Sequence, residues 1–521
     1  MKIFKKTTSF MLSLFLLFTV FFCGCFNKSN ENGGTEKKDS KSETLTIAMT
    51  AEPRTLNVPK MEDSTSSFIN YNVFETLVDY DKDLKLRPRL ATRWAVSEDG
   101  LVYTFDLREG VSFSDGTSFN AEAVKKNAER MLANKEECAF CEVIFEGLKK
   151  ITVDGEHKIS FHLDKKCAFF VKKMAICAFS IVSPKSFEGK DINDTNLKQS
   201  GTGPYTLAQT GTGFVKLISR ENYWGGKPLI KTLIFKSMPE STSREVALKN
   251  NEVDIIEGVD VNSIEKLEKE FTVKKTVCVS SHYIALNCDN IENPEIRKAI
   301  FQMINIPEMV KTISKGTTPH IKQFLPEIII PFSNVIKYPE FNLENAKDAS
   351  EAIKKLKKEL KILAVSSSGS FGGGRVLAEK VQAYLEAAGI KTKIELVDWK
   401  TYQTKTKGEG RDFDICFGGW ICDFMDPHNF YSIFSEKNMD LNYPGFKNAK
   451  FEELLEKGVT TFDENERKDI YSNAEDVLAT ECPILPLYSA PAFAAFSKNV
   501  KDFVTTPTGS CDFYKVSKTK D

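Results

Sequence analysis

Past residue 44, hydrophobic and polar positions fall into short segments of two periods. Leu45-Thr-Ile-Ala-Met49 is a strand-like start, and Val102 to Phe105 alternates as a half-buried strand does. Leu90-Ala-Thr-Arg-Trp94 precedes it, and Asn72 to Tyr80 reads as a helix running into a strand. Ser114-Asp-Gly116 predicts a turn, and Asn120 caps a helix beginning Ala-Glu-Ala-Val. Ser237 to Gly258 reads helix then strand, Tyr283 to Asn287 is an apolar strand, and Pro294 opens a helix that runs to Ile304. Leu360 to Val365 has a buried-strand pattern; a helix over Arg375 to Ala388 and a strand over Lys391 to Val397 complete one α/β unit. Asp412 to Trp420 brings in another strand, so the fold class is α/β.

The first 44 residues follow other rules. Lys2, Lys5 and Lys6 precede an apolar run, Phe10 to Phe22, and then Gly24-Cys25. A run this short falls below the roughly 20 residues a permanent bilayer helix needs, and the basic-apolar-small order is that of an export signal. Residues 26–44 are a polar, flexible linker. The remaining chain exceeds one simple core, which predicts two or three lobes. Lys+Arg 71 against Asp+Glu 72 gives no basic stripe, so nucleic acid is not expected as a partner.

Of the 12 cysteines, ten follow Cys25. An exported chain permits disulfides among them, with connectivity unreadable from sequence. Cys138-Ala-Phe-Cys141 has the spacing of half a zinc site or of a redox pair; buried or paired cysteine is the preferred reading, since no second ligand pair follows. The loop Gly369 to Gly374 lacks the Lys-Ser/Thr that completes a phosphate-binding loop, and a helix N-terminus facing an anionic ligand group is the reading kept for it. The five histidines show no HxxxH or HxH spacing, so a metal would enter as a chelate carried by an organic ligand. No G-x-S-x-G elbow appears, and catalysis is not expected.

Several multi-residue motifs occur in order along the mature chain: Ala51 to Asn57, Leu90 to Phe105, Phe113 to Val124, Gly201-Thr-Gly-Pro-Tyr205, Arg220 to Pro228, Ala285-Leu-Asn287 and Trp420 to Pro427. Together they resemble the family 5 solute-binding proteins, the extracytoplasmic receptors of peptide and nickel ABC importers. The resemblance implies a two-lobed clamshell, periplasmic-binding-protein-like, of type II and the large cluster, with an extra subdomain in lobe I. Lobe I would be 45–278 plus 488–521 and lobe II 279–487, with crossings near Val279 to Tyr283 and Leu485 to Ser489. The ending Gly24-Cys25 resembles a lipoprotein box, which implies a lipid on Cys25, a place on the outer face of the cell membrane, and delivery of solute by a monomer to a permease and ATPase.

The resemblance divides over the ligand. Peptide-binding members resemble Trp-x-x-Asp-x-x-Asp-Pro, whose first Asp holds the peptide's α-ammonium, and Trp420 and Asp423 stand at those positions. Nickel-binding members end this segment in Tyr-Asp-Pro-His, which Asp426-Pro427-His428 matches over three residues. Ser368 occupies the neighbourhood of the carboxylate-binding arginine of dipeptide receptors, and Arg375 follows several residues on. Residues 168–184 and Phe513 to Val516 look more like the nickel group, so a nickel chelate is slightly favoured over a peptide. The candidate ligand set is Trp420, Asp423, Tyr283, His282, Arg375 and His428, with no metal ligand assigned. A sensor or chaperone-like peptide binder working without an importer is the alternative from another class.

The anchor gives the first prediction. Metabolic labelling with a fatty acid analogue should mark the wild-type chain and not Cys25→Ala; equal labelling of the two would contradict it.

Overall fold

Two large sheets, each with its own core, are joined by two short crossings. The computed structural model describes residues 43–194, 197–329, 337–344, 353, 359–366, 374–408 and 410–519. Cys25, the export segment, nearly all of the linker, Ser368 and the glycines at 369 and 372–373 lie outside the described residues. Among the described residues no helix is long and apolar enough to cross a membrane.

The first sheet has seven strands, ordered Thr272–Val277, Pro491–Phe496, Ile255–Glu257, Thr44–Met49, Thr232–Ser237, Phe214–Ser219 and Tyr205–Gly211. Thr44–Met49 runs parallel to both neighbours and is covered on both faces. Leu45 and Ile47 pack with Leu233, Phe235 and Phe513 on one side, and Ala48 packs with Leu248 and Ile256 on the other. That two-sided burial explains why Leu45 to Met49 reads as nearly continuous apolar sequence.

A four-stranded antiparallel sheet follows in sequence, ordered Ala91–Val96, Val102–Leu107, Lys158–Leu163 and Leu148–Gly155. Residues of Val102–Leu107 alternate between buried and half-buried, with Tyr103 and Phe105 inward. The helix Ala121–Ala133 lies against this sheet and starts where the sequence places its cap: the Asn120 side chain accepts from the Ala123 N–H at 3.0 Å.

One sequence expectation shifts. The helix read over Asn72 to Tyr80 lies earlier, at Ser64–Asn70, capped by Asp63. Residues 72–73 instead spend their carbonyls on another segment, accepting from Gly203 and Tyr205 N–H groups at 3.0 Å. The Gly201-Thr-Gly-Pro-Tyr205 turn makes that approach possible: a Cβ on Gly201 would sit 2.0 Å from the Val73 carbonyl oxygen. Tyr205 itself is structural, its hydroxyl donating to the Ile230 carbonyl at 3.1 Å.

The second large sheet has five strands, ordered Thr392–Val397, Leu360–Val365, Ile415–Ile421, Ser280–Leu286 and Ile484–Tyr488. The chain leaves the seven-stranded sheet after Val277 and joins the five-stranded one at Ser280; it returns between Tyr488 and Pro491. The two crossings are tied together, since the Ser489 hydroxyl donates to the Ser280 carbonyl at 2.6 Å.

Asp426 fastens the four-stranded sheet's flank to the second large unit. Its carboxylate is wholly buried and pairs with Lys172 Nζ at 2.8 Å and with Arg467 Nη2 at 2.5 Å. Lys172 lies just beyond the four-stranded sheet and Arg467 on the helix Glu464–Glu481. The same carboxylate caps the helix Pro427–Tyr431, accepting from the His428 N–H at 3.0 Å. Beside it, the Phe169 ring stacks on Phe424 and on His428, with centroids 5.4 and 4.9 Å apart. Lys172, Arg467 and the cap overcome burial and hold the Asp426 carboxyl down at about 2.

Asp426→Asn leaves two cations without their shared partner. It should cost about 3–5 kcal/mol in urea unfolding at neutral pH. Because the folded pKa lies below the ordinary 3.8, this stabilisation is present above that value and disappears as pH falls through about 2. The variant should therefore lose less stability than wild type over that acid range. An unchanged midpoint at neutral pH would show that the bridge does not hold these units together.

Candidate functional site

The strand Ile415–Ile421 is central in its sheet, parallel to Leu360–Val365 and antiparallel to Ser280–Leu286. It can lie close to Tyr283 because residue 418 is glycine: a Cβ there would meet the Tyr283 ring at 2.1 Å. After Ile421 the chain turns through Cys422 to Asp426 into the capped helix. This turn presents Asp423.

Asn429 organises the turn. Its side-chain oxygen accepts from Trp420 Nε1 at 2.9 Å and from the Asp423 N–H at 3.1 Å, while its Nδ2 donates to Asp423 Oδ2 at 3.2 Å. Trp420 and Asp423 are thus brought together by a residue that sequence reasoning did not single out. The available signal was its place in the first turn of a helix opened by Asp426-Pro427. Among the described residues no Lys or Arg pairs with Asp423. Burial pushes its carboxyl from the usual 3.8 up to about 6, and the Asn429 hydrogen bond only partly offsets this. Asp423 and Asp426, three residues apart, are therefore displaced in opposite directions, one lacking a cation and the other holding two.

The other candidates lie elsewhere. Tyr283 is in the core, its ring edge-on to Phe324 and Phe434 at 5.5 and 5.4 Å. His282 is buried and stacks on Tyr488 across the crossing strands, centroids 4.8 Å apart, with burial lowering its pKa to about 4. His428 is lowered to about 4 by burial as well and spends its ring on Phe169. Arg375 is exposed on the helix Gly374–Ala387, 3.8 Å from Glu379 one turn on.

A cavity of about 430 Å³ is lined by Tyr71, Tyr80, Arg87, Val504, Asp512 and Lys515 among others, none of them in the turn from Trp420 to Asn429. Tyr80 links the two places: it forms part of the cavity wall, and its hydroxyl accepts from the Met425 N–H at 3.1 Å. Arg87 is committed to Asp79 at 2.7 Å. Burial raises the Asp512 carboxyl despite Arg89, Lys515 and Arg87 nearby. The wall thus carries groups of both signs.

Among the described residues no group of three or more His, Cys, Asp or Glu side chains could hold a metal ion. The ten described cysteines are all free thiols.

The sequence pattern of the bacterial extracellular solute-binding proteins, family 5, matches residues 85–440. The probable D,D-dipeptide-binding periplasmic protein DdpA of Escherichia coli (strain K12) is 28% identical over 481 residues, covering 89% of this chain and 92% of that protein. Heme-binding protein A of Haemophilus influenzae is 26% identical over 535 residues, covering 96% and 97%. The periplasmic binding protein DppA of Helicobacter pylori, solved with the peptide STSA, superposes with a TM-score of 0.76 at 26% identity, covering 92% of this chain and 98% of that one. The motif order, the two large sheets joined by paired crossings and these likenesses lead to one conclusion: the chain belongs to the family 5 bacterial extracellular solute-binding proteins, has their two-lobed fold, and is a solute receptor of the ABC-importer type and not an enzyme.

Proposed function

We propose that this receptor captures a solute carrying a protonated amino group, in the first instance a short peptide, with the ammonium on Asp423. The observation that carries the proposal is a largely buried carboxylate, fixed by Asn429, with no cation of the described chain beside it. An ammonium group supplies the missing charge and turns an unfavourable burial into a charge-assisted hydrogen bond. Trp420, held on the same Asn429 oxygen as the Asp423 N–H, stands beside it. The dipeptide-binding relatives favour the same solute class.

The nickel chelate favoured from the sequence loses ground on two points. A carboxylate in the cleft opposes the anionic charge such chelates usually carry. His428, the residue that completed the nickel-type ending, is stacked on Phe169. In this reading His282, Tyr283, His428 and Arg375 leave the ligand set.

Capture works by closure. The lobe of 45–277 with 491–521 and the inserted lobe of 280–488 approach about the crossings at Cys278–Val279 and Ser489–Ala490, the Lys172–Asp426 pair joins them in the closed form, and differential affinity for that form drives the shift. A monomer tethered to the outer face of the membrane through lipidated Cys25 then delivers the solute to a permease and its ATPase.

Asp423→Asn should weaken binding of dipeptides by a hundredfold or more in calorimetry, the loss of one partner of a buried ion pair being worth about 3–5 kcal/mol. It should leave the fold intact. The sign with pH is fixed by the raised pKa: free of ligand, the ionised carboxylate costs the folded state stability as pH rises from near 3.8 through about 6. The pair needs both the ionised carboxylate and the protonated amino group, so affinity should be greatest at about pH 7, falling below about pH 6 with Asp423 and above about pH 8 with the dipeptide's own ammonium. Equal dipeptide affinity in the variant, or tight binding of nickel with histidine unaffected by the substitution and no dipeptide binding, would overturn the proposal.

A further inference from the structure

Cys138 and Cys141 take no part in the solute site. The helix Ala121–Ala133 ends, Lys135–Glu137 makes a single 3-10 turn, and the chain reverses so that Cys141 opens the short helix Cys141–Phe145. The Cys141 N–H donates to the Cys138 carbonyl at 3.5 Å, and Phe140, at φ −121° and ψ 13°, has the backbone expected of the third position in a type I turn. A reverse turn keeps its first and fourth Cα atoms within about 7 Å, and a disulfide requires about 4.4–6.8 Å.

Both side chains are buried, Cys138 at 6% exposure and Cys141 at 2%. Burial pushes the Cys138 thiol up to about 11, Cys141 next to it adds to the rise, and burial raises Cys141 too. These are protonated, unreactive thiols, the opposite of the low-pKa pairs that catalyse exchange. A zinc site would need further ligands, and the described residues offer no cluster of three.

We propose that Cys138 and Cys141 form a structural disulfide within this turn once the chain is outside the cytoplasm, where this family works and disulfides persist. Two S–H bonds break and one S–S bond forms. The two electrons and two protons pass to a disulfide-bearing oxidant, a thiol–disulfide oxidoreductase or glutathione disulfide, which leaves as two thiols. The bond fixes a junction. The Ala139 N–H donates to the Pro59 carbonyl at 3.2 Å and Glu137 pairs with Lys60 at 3.3 Å, so the turn joins the helix on the four-stranded sheet to the segment Val58–Lys60, whose Val58 lies in the core of the seven-stranded sheet. Once formed, the disulfide is shielded by the same burial that keeps the thiols inert.

The test is a mapping experiment on the purified full-length chain. After reduction in denaturant and refolding in a mixture of reduced and oxidised glutathione, so that the thiols meet the oxidant before they are buried, the protein is quenched in acid, denatured, alkylated with N-ethylmaleimide and digested with trypsin. The peptide Glu136–Lys149 contains both cysteines and no other. It should be lighter than its reduced form by two hydrogens and carry no maleimide, whereas the same peptide bearing two maleimides would overturn the proposal. In Cys141→Ser, Cys138 should carry one maleimide; finding it linked to another cysteine of the chain would equally overturn it.

Discussion

A buried carboxylate held between two cations sets the geometry of this receptor. Asp426 reaches Lys172 from the flank of the four-stranded sheet and Arg467 from the long helix of the other large unit, and it caps the helix that follows it. Three jobs on one side chain leave the turn before it little freedom. Asn429, in the first turn of that capped helix, is then placed to hold Trp420 and Asp423 by three hydrogen bonds. The unpaired acid of the site is positioned by the paired acid beneath it. This division shows how one turn keeps a costly group in place: Asp426 is satisfied by two cations and stabilises, while Asp423 has no Lys or Arg beside it among the described residues.

The crossings give the same economy on a larger scale. Only Cys278–Val279 and Ser489–Ala490 separate the strands of one large sheet from those of the other, and a hydrogen bond between Ser489 and Ser280 keeps the two passages in step. His282 stacked on Tyr488 fills the space where the strands enter the second sheet. A hinge at these passages would change the conformation of few residues, and it would also part Phe424 from the core of the four-stranded sheet and Tyr80 from that of the five-stranded one.

Much of this was legible in the sequence where a single period or cap decided the outcome. Leu360 to Val365 is apolar because it is buried on both faces, and the Asn120 cap marks its helix to the residue. The helix before Tyr80 was misplaced because the backbone of Asn72 and Val73 is claimed by a segment 130 residues away, a demand no local pattern displays. For the candidate site, residue type and spacing single out Trp420 and Asp423, which share Asn429, whereas they cannot show that His282 packs on Tyr488, Tyr283 on Phe324 and Phe434, and His428 on Phe169. A polar or aromatic side chain announces what it can do; only the residue facing it across the fold decides which use is made of it. Asn429 shows the converse, an ordinary residue in sequence that becomes the organiser of the site through contacts with two side chains brought to it by the turn.

Proton release on binding separates Asp423 as the ionised partner of a solute's ammonium from Asp423 as a purely structural acid. A carboxylate with a pKa of about 6 is roughly half protonated at that pH, and an incoming ammonium must drive the proton off. Calorimetry of a dipeptide panel at about pH 6, repeated in buffers of different ionisation enthalpy, counts the protons exchanged on binding. Release of roughly half a proton per dipeptide bound is expected there, vanishing at about pH 7 and turning to uptake above it as the free dipeptide's amino group, with a pKa of about 7.7–8.0, gives up its proton. Tight dipeptide binding at about pH 6 with no proton released would contradict it.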